Sequence, residues 1–186
     1  MAIWPISITI AGNDLNVLKN DLEKQNSEIK NFFLKEGFTE KELNRGTTNI
    51  NDSKAVLYGG DNQNRAFRYI ANSDFTVRTS DIEKLQKALT NSLELISKGI
   101  LISSKNTWQP IQYNFSGLNE LKPGMIEEAT KNAREVAEKF ALDSNSKVSK
   151  IKSANQGQFS ISDLDPNTSY IKIVRVVSTI EYQLED

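Results

Sequence analysis

Apolar and polar side chains alternate from the fourth residue onward. Trp4-Pro5-Ile6-Ser7-Ile8-Thr9-Ile10 has the period of two that half-buries a strand. The period then changes. After Asp14, a residue suited to capping, Leu15, Leu18, Leu22, Ile29, Phe32 and Phe33 fall on one stripe of a 3.6-residue repeat. Gly37 stands where a helix ending in a left-handed residue needs it. A second helix starts from the capping box of Ser80 and Glu83, carries Ile82, Leu85, Leu89, Leu93 and Ile96, and stops at Gly99. A third is expected over residues 123 to 142, with Pro123 near its first turn. It would bury Ile126, Ala129, Ala133, Val136, Ala137 and Phe140, and its alanines point to close packing on a sheet. Glu127 with Lys131 and Glu135 with Lys139 make favourable pairs one turn apart on its wet side.

Strand patterns fill the gaps between these helices. Over residues 65–79, Phe67, Tyr69, Phe75 and Val77 share one face, and Arg68, Asn72, Thr76 and Arg78 the other. Ile111, Tyr113 and Phe115 repeat the alternation. The last strand changes parity: Ile171 and Ile173 belong to one face, Val176, Ile180, Tyr182 and Leu184 to the other. Such a strand must bend through a bulge or pass between two packing surfaces. The polar residues 44–64, with Gly59-Gly60, suit a long hairpin with a mobile tip. These patterns predict an α+β fold in the order β-α-β-β-α-β-β-α-β-β. Its sheet would be mainly antiparallel, of about seven strands, with three helices packed on one face.

Composition narrows the chemistry. The 186 residues suit one domain or two very small ones, and residues 1–186 are read as one. With 23 basic and 24 acidic side chains the net charge is −1, so counterion release offers little to a nucleic-acid partner. There is no cysteine and no histidine. That removes disulfides, thiol nucleophiles, thiolate-bound metals and the commonest general base near neutral pH. No catalytic residue, metal ligand or cofactor is therefore expected, and the chain is read as a non-enzyme. Because it opens inside a strand, a targeting or anchoring segment and one further strand are expected to be missing from its start.

Several local groupings are candidates for more. Ser103-Ser104-Lys105 could supply a serine and a base, but serine beside lysine is commonplace in turns. Asp61-Asn62-Gln63-Asn64 lacks the spaced acids of a calcium loop, and Gly59-Gly60 lacks the lysine of a phosphate loop. Lys147, Lys150 and Lys152 with Lys172 and Arg175 could line a basic stripe for anionic ligands or lipid headgroups, or could simply protect strand edges. Gln156-Gly157-Gln158-Phe159 is a candidate loop, its glycine permitting a close backbone approach or a bend. The interface or ligand candidates are thus Gln156, Gly157, Phe159, Lys172 and Arg175. Trp4 and Trp108 are read as packing anchors.

Five segments together carry a resemblance. The run Tyr113-Asn114-Phe115-Ser116-Gly117-Leu118-Asn119-Glu120-Leu121-Lys122-Pro123 leads into Glu128-Ala129-Thr130-Lys131-Asn132-Ala133-Arg134. Gln156-Gly157-Gln158-Phe159 and Val174-Arg175-Val176-Val177-Ser178-Thr179-Ile180-Glu181-Tyr182 follow, and Ala2-Ile3-Trp4-Pro5-Ile6-Ser7 opens the chain. This combination resembles the SIMPL-domain family of mostly uncharacterised bacterial proteins that are exported or membrane-anchored. The resemblance implies a periplasmic or membrane-anchored location in the cell envelope. It also implies homo-oligomers for some members, and it carries no established catalytic residues. The partners expected are further copies of the chain, other envelope proteins or lipid headgroups. A weaker similarity links the C-terminal third to the dodecins, flavin-binding shells built from β-α-β-β units, but no tryptophan stands where theirs stacks on flavin. The competing expectation is a module that binds a planar or anionic small molecule between subunits.

Overall fold

A computed structural model describes residues 1–55, 66–104 and 111–185. The elements run β1 (Ala2–Gly12), α1 (Leu15–Lys35), a 3-10 turn (Glu40–Glu42), β2 (Leu43–Asp52), β3 (Tyr69–Thr79), α2 (Ile82–Asn91) and α3 (Leu93–Ser97). They continue with β4 (Ile102–Ser104), β5 (Gln112–Tyr113), α4 (Leu118–Asp143), β6 (Lys147–Gln156), β7 (Ser160–Asp163), β8 (Lys172–Arg175) and β9 (Ser178–Glu185). The class is α+β and every strand pair is antiparallel. Two compact units divide the chain, Met1–Asn114 and Phe115–Asp186.

The first unit is a five-stranded sheet in which β2, β3, β1 and β4 are neighbours and β5 also pairs with β1. β1 and β3 pair over their full lengths, Ala2 with Thr79 through Gly12 with Tyr69. Their alternation puts Ala2, Trp4, Ile6, Ile8, Ala71, Phe75 and Val77 on one buried face, as the period of two requires. α1 lies over that face. Asp14 caps it, its Oδ1 accepting from the backbone N–H groups of Asn16 at 2.8 Å and Val17 at 3.0 Å. Leu18, Leu22, Ile29, Phe32 and Phe33 are buried, whereas Leu15, in the first turn, stays 46% exposed. Phe33 is the centre of the core. Trp4, Phe32 and Phe38 meet it edge-on at 5.6, 5.1 and 5.3 Å, and Phe75 stacks on it at 6.0 Å. Gly37 and Gly99 both adopt positive φ, 90° and 75°, and end their helices as expected.

The second expected helix is broken. Asp81, not Ser80, is its cap, accepting from Lys84 N–H at 2.9 Å. The chain leaves helical bonding at Ser92 and restarts, so the phase of the stripe shifts. Leu85, Ala88 and Leu95 are buried; Leu93 and Ile96, in phase with an unbroken helix, are 69% and 53% exposed. β2, from the stretch expected as a hairpin over residues 44–64, pairs with β3, from the strand expected over residues 65–79, with a register break between Arg45 and Thr48. The Gly59-Gly60 tip, Asp61-Asn62-Gln63-Asn64, Lys105 and Trp108 lie outside the described residues.

In the second unit α4 begins five residues before Pro123, at Leu118 behind the Gly117 cap, so the proline sits inside the helix. It forgoes one backbone hydrogen bond there. Ala129, Ala133 and Ala137 are half-buried on the side toward the strands, and Ala141 is the one fully buried residue of the helix. Val136 and Phe140, expected to be buried, are 49% and 74% exposed. The alanine line takes the sheet-facing side, and the larger residues are turned off it by one helical step. β6 pairs with β9 and β7 with β8, as two separate two-stranded sheets. Joined across their breaks, β6 with β7 and β8 with β9 correspond to the last two expected strands, which restores the count of about seven.

Candidate functional site

Four of the five candidate residues, Gln156, Gly157, Phe159 and Arg175, fall around one bend of the second unit, and Lys172 stands at the opposite end of the β7–β8 pair. Gln156 ends β6 opposite Ser178, and Ser160 begins β7 opposite Arg175. The links 157–159 and 176–177 therefore face each other where both strands break together. Gly157 N–H donates to the Val177 carbonyl at 2.8 Å. A Cβ at Gly157 would stand 2.7 Å from that oxygen, so the close approach demands glycine. The parity change read from Ile173 to Val176 has the same origin, since β8 and β9 belong to different sheets on either side of the bend.

The other candidates have partners or a groove. Phe159 lies under the Lys122 ammonium, 5.7 Å from ring centre to nitrogen. Lys172 on β8 is paired with Asp163 on β7, its cross-strand neighbour. Arg175 is exposed and lines an open groove of about 230 Å³ between α4 and the end of β8. Met125, Glu128, Ala129 and Asn132 supply the helix side, one turn apart, and Val174 and Val176 flank the arginine. Lys147, Lys150 and Lys152 stand on β6, in a different sheet from Lys172 and Arg175 on β8.

Sequence reading missed the most strongly held charge. Glu42, in the 3-10 turn, accepts at Oε2 from Thr39 N–H at 2.8 Å and Thr39 Oγ1 at 3.0 Å, and at Oε1 from Thr79 Oγ1. Lys84 Nζ reaches Oε1 at 2.9 Å and sits 4.7 Å above the Phe38 ring. Partial burial would raise the carboxyl pKa, but the hydrogen bonds from Thr39, Thr79 and Lys84 outweigh it and hold it at about 2. Every acceptor lone pair is thus used to tie the turn, β3 and α2 together, a packing role. Thr39-x-x-Glu42 is a capping-box spacing, and it was the available signal.

Reactive arrangements are scarce. The Ser103 hydroxyl donates to the Ser7 carbonyl at 3.0 Å across the β1–β4 pair. A second hollow, about 270 Å³ beside α1, is lined by Asp21, Lys24, Gln25, Glu28, Lys98 and Ile100, and Lys98 there binds Glu28 at 2.6 Å. Among the described residues no group of three or more acids is placed to hold a metal ion, and no helix is long and apolar enough to cross a membrane.

The family model for SIMPL, a protein of unknown function (DUF541), matches residues 1–173. The chain belongs to the SIMPL family. The match runs from the first unit of this SIMPL chain into the second, takes in Gly157, and ends at Ile173 within β8. No curated protein matches the chain.

Proposed function

We propose that this SIMPL chain is a non-enzymatic domain of the cell envelope that works by self-association or by binding another envelope component. One observation carries the reading. Between residues 115 and 185, thirteen large apolar side chains are exposed, among them Phe140 at 74%, Leu142 at 79% and Leu184 at 58%, while Ala141 alone is a buried hydrophobic. At roughly half exposure, such side chains present on the order of 1,000 Å² of apolar surface. The total is comparable with the roughly 800 Å² that a standard interface takes from each partner. The envelope setting rests on the family, whose members resemble exported and anchored proteins. Light scattering and sedimentation of the full chain test the reading. A defined oligomer, or capture of one envelope protein from a crosslinked envelope fraction, is the expected result. A strict monomer at 100-fold-varied concentration that captures nothing defeats it.

A second reading has an observation of its own. The groove beside Arg175 sets an exposed guanidinium, with Glu128 and Asn132 on the helix side, against Met125, Ala129, Val174 and Val176, an apolar wall with polar groups at its rim that suits a small planar molecule with an anionic group for the arginine. Native mass spectrometry of the purified protein decides it, and a clean apo mass with no binding across an organic-anion panel removes it.

A further inference from the structure

Seven strand edges in the described residues lack a neighbouring strand, and six of them carry protection. β2 is polar and broken by a bulge at Arg45–Thr48, where Gly46 packs so tightly that a Cβ would meet Asp74 at 2.9 Å. β6 bears Lys147, Lys150 and Lys152 and shifts register twice along its pairing with β9. β4 and β5 are three and two residues long, and β7 and β8 four. Lysines, bulges and short length are the usual means by which sheets discourage pairing with other chains. β9 has none of them. Its eight residues, Ser178-Thr179-Ile180-Glu181-Tyr182-Gln183-Leu184-Glu185, contain no lysine, proline or glycine and are rich in β-formers. β6 occupies one of its edges, and among the described residues no strand occupies the other.

From this we infer that β9 is a dimerisation edge, pairing antiparallel with β9 of a second copy to give a continuous sheet β6-β9-β9-β6. The inference rests on the self-association reading above and names its surface. The side chains fix the register. A two-fold axis through the sheet pairs only residues of the same face, so the sum of paired residue numbers is even. Centring on Glu181 would set that glutamate against its own copy. Centring on Gln183 would set Glu181 against Glu185. Centring on Tyr182 avoids both: Ile180 meets Leu184, Tyr182 meets Tyr182, Glu181 meets Gln183 and Thr179 meets Glu185. Aromatic and β-branched cross-strand pairs are favourable, and like charges directly opposite are not. The same register answers a local deficit. The Tyr182 hydroxyl is buried without a hydrogen-bond partner, its ring lying under Arg134 of α4 at 5.8 Å. Pairing about Tyr182 brings a second such hydroxyl alongside it.

The absence of cysteine from the chain makes the register directly testable in the full-length protein. E181C and Q183C proteins are prepared separately, mixed, and oxidised. Opposite residues in an antiparallel pair come within disulfide reach, whereas the same residue two positions out of step is about 7 Å away or more. The expected result is a covalent dimer in the mixture and little in either protein alone. Gln183→Glu should weaken the dimer several-fold by opposing two Glu pairs, and Gln183→Lys should tighten it several-fold. An oligomer by light scattering that gives no mixed disulfide, or ignores both charge changes, overturns the β9 assignment and leaves self-association standing. A monomer by scattering overturns both.

Discussion

Two phenylalanines separate the halves of this protein. Phe33 on α1 is fully buried and touches four other aromatic rings, whereas Phe140 on α4 lies 74% exposed near the end of a helix with one buried residue. The first unit surrounds one long helix with eleven-residue strands and closes a core of seventeen residues. The second unit has a helix of 26 residues but sets it on two-stranded sheets, which are marginal alone in water. Helix length is therefore not what makes a core. What differs is the number of strands beneath it, and with few strands the apolar surface of the second unit is left exposed.

The sharpest test of that contrast is to truncate both rings. Phe33→Ala should cost about 3–5 kcal/mol in chemical denaturation, because it empties the middle of a close-packed cluster. Phe140→Ser should do almost nothing to folding.

Next is the tie between the 3-10 turn, β3 and α2. The Glu42 pKa of about 2 in the folded protein lies below its ordinary value of 4.5. The carboxylate thus contributes fully above about pH 4.5, and its stabilisation, of order 2 kcal/mol, is lost as pH falls toward 2. Urea midpoints measured from pH 7 to pH 2 should fall through that window, and Glu42→Gln should flatten the fall. An unchanged slope in the variant would assign acid sensitivity to other carboxylates.

Gly157→Ala comes third. Its Cβ would need Val177 to retreat, at a cost of about 1–2 kcal/mol. Hydrogen exchange should accelerate at residues 156–160 and 174–179 and leave the first unit unaffected. If protection in the first unit falls equally, the two units unfold together and the contrast between them is not energetic.

The smallest effect on folding is Phe140→Ser, within about 0.5 kcal/mol, as for most exposed positions. Under the proposed function it should nonetheless weaken self-association several-fold by sedimentation. Equal affinity in variant and parent would take Phe140 out of the interacting surface.

Most of the first unit was legible in the chain because its elements are long and strictly periodic. Leu18, Leu22, Ile29 and Phe33 read as one stripe and pack as one. Asp14, Gly37 and Gly99 act locally, through a cap and two positive φ angles, and local requirements are visible in sequence. The α2–α3 break was not visible: nothing in Thr90-Asn91-Ser92 marks a stop, and burial of Leu95 in place of Leu93 is settled by the packing surface. In the second unit, the parity switch and the glycine of Gln156-Gly157 pointed to a bend, but only pairing could show that two strands bend at one place.

By itself, then, the sequence determined the α+β class, the order of elements, the Asp14, Gly37 and Gly99 helix ends and the exclusion of thiol and imidazole chemistry, because each depends on residue identity or on short-range period. The tertiary structure decided which apolar stripe of α4 faces the strands, how Glu42 came to be held by three partners, and which strand edge stands unprotected. Those are matters of contact between segments far apart in the chain. A side chain's period says that it has a buried face available, and only the neighbouring strands determine whether that face is filled.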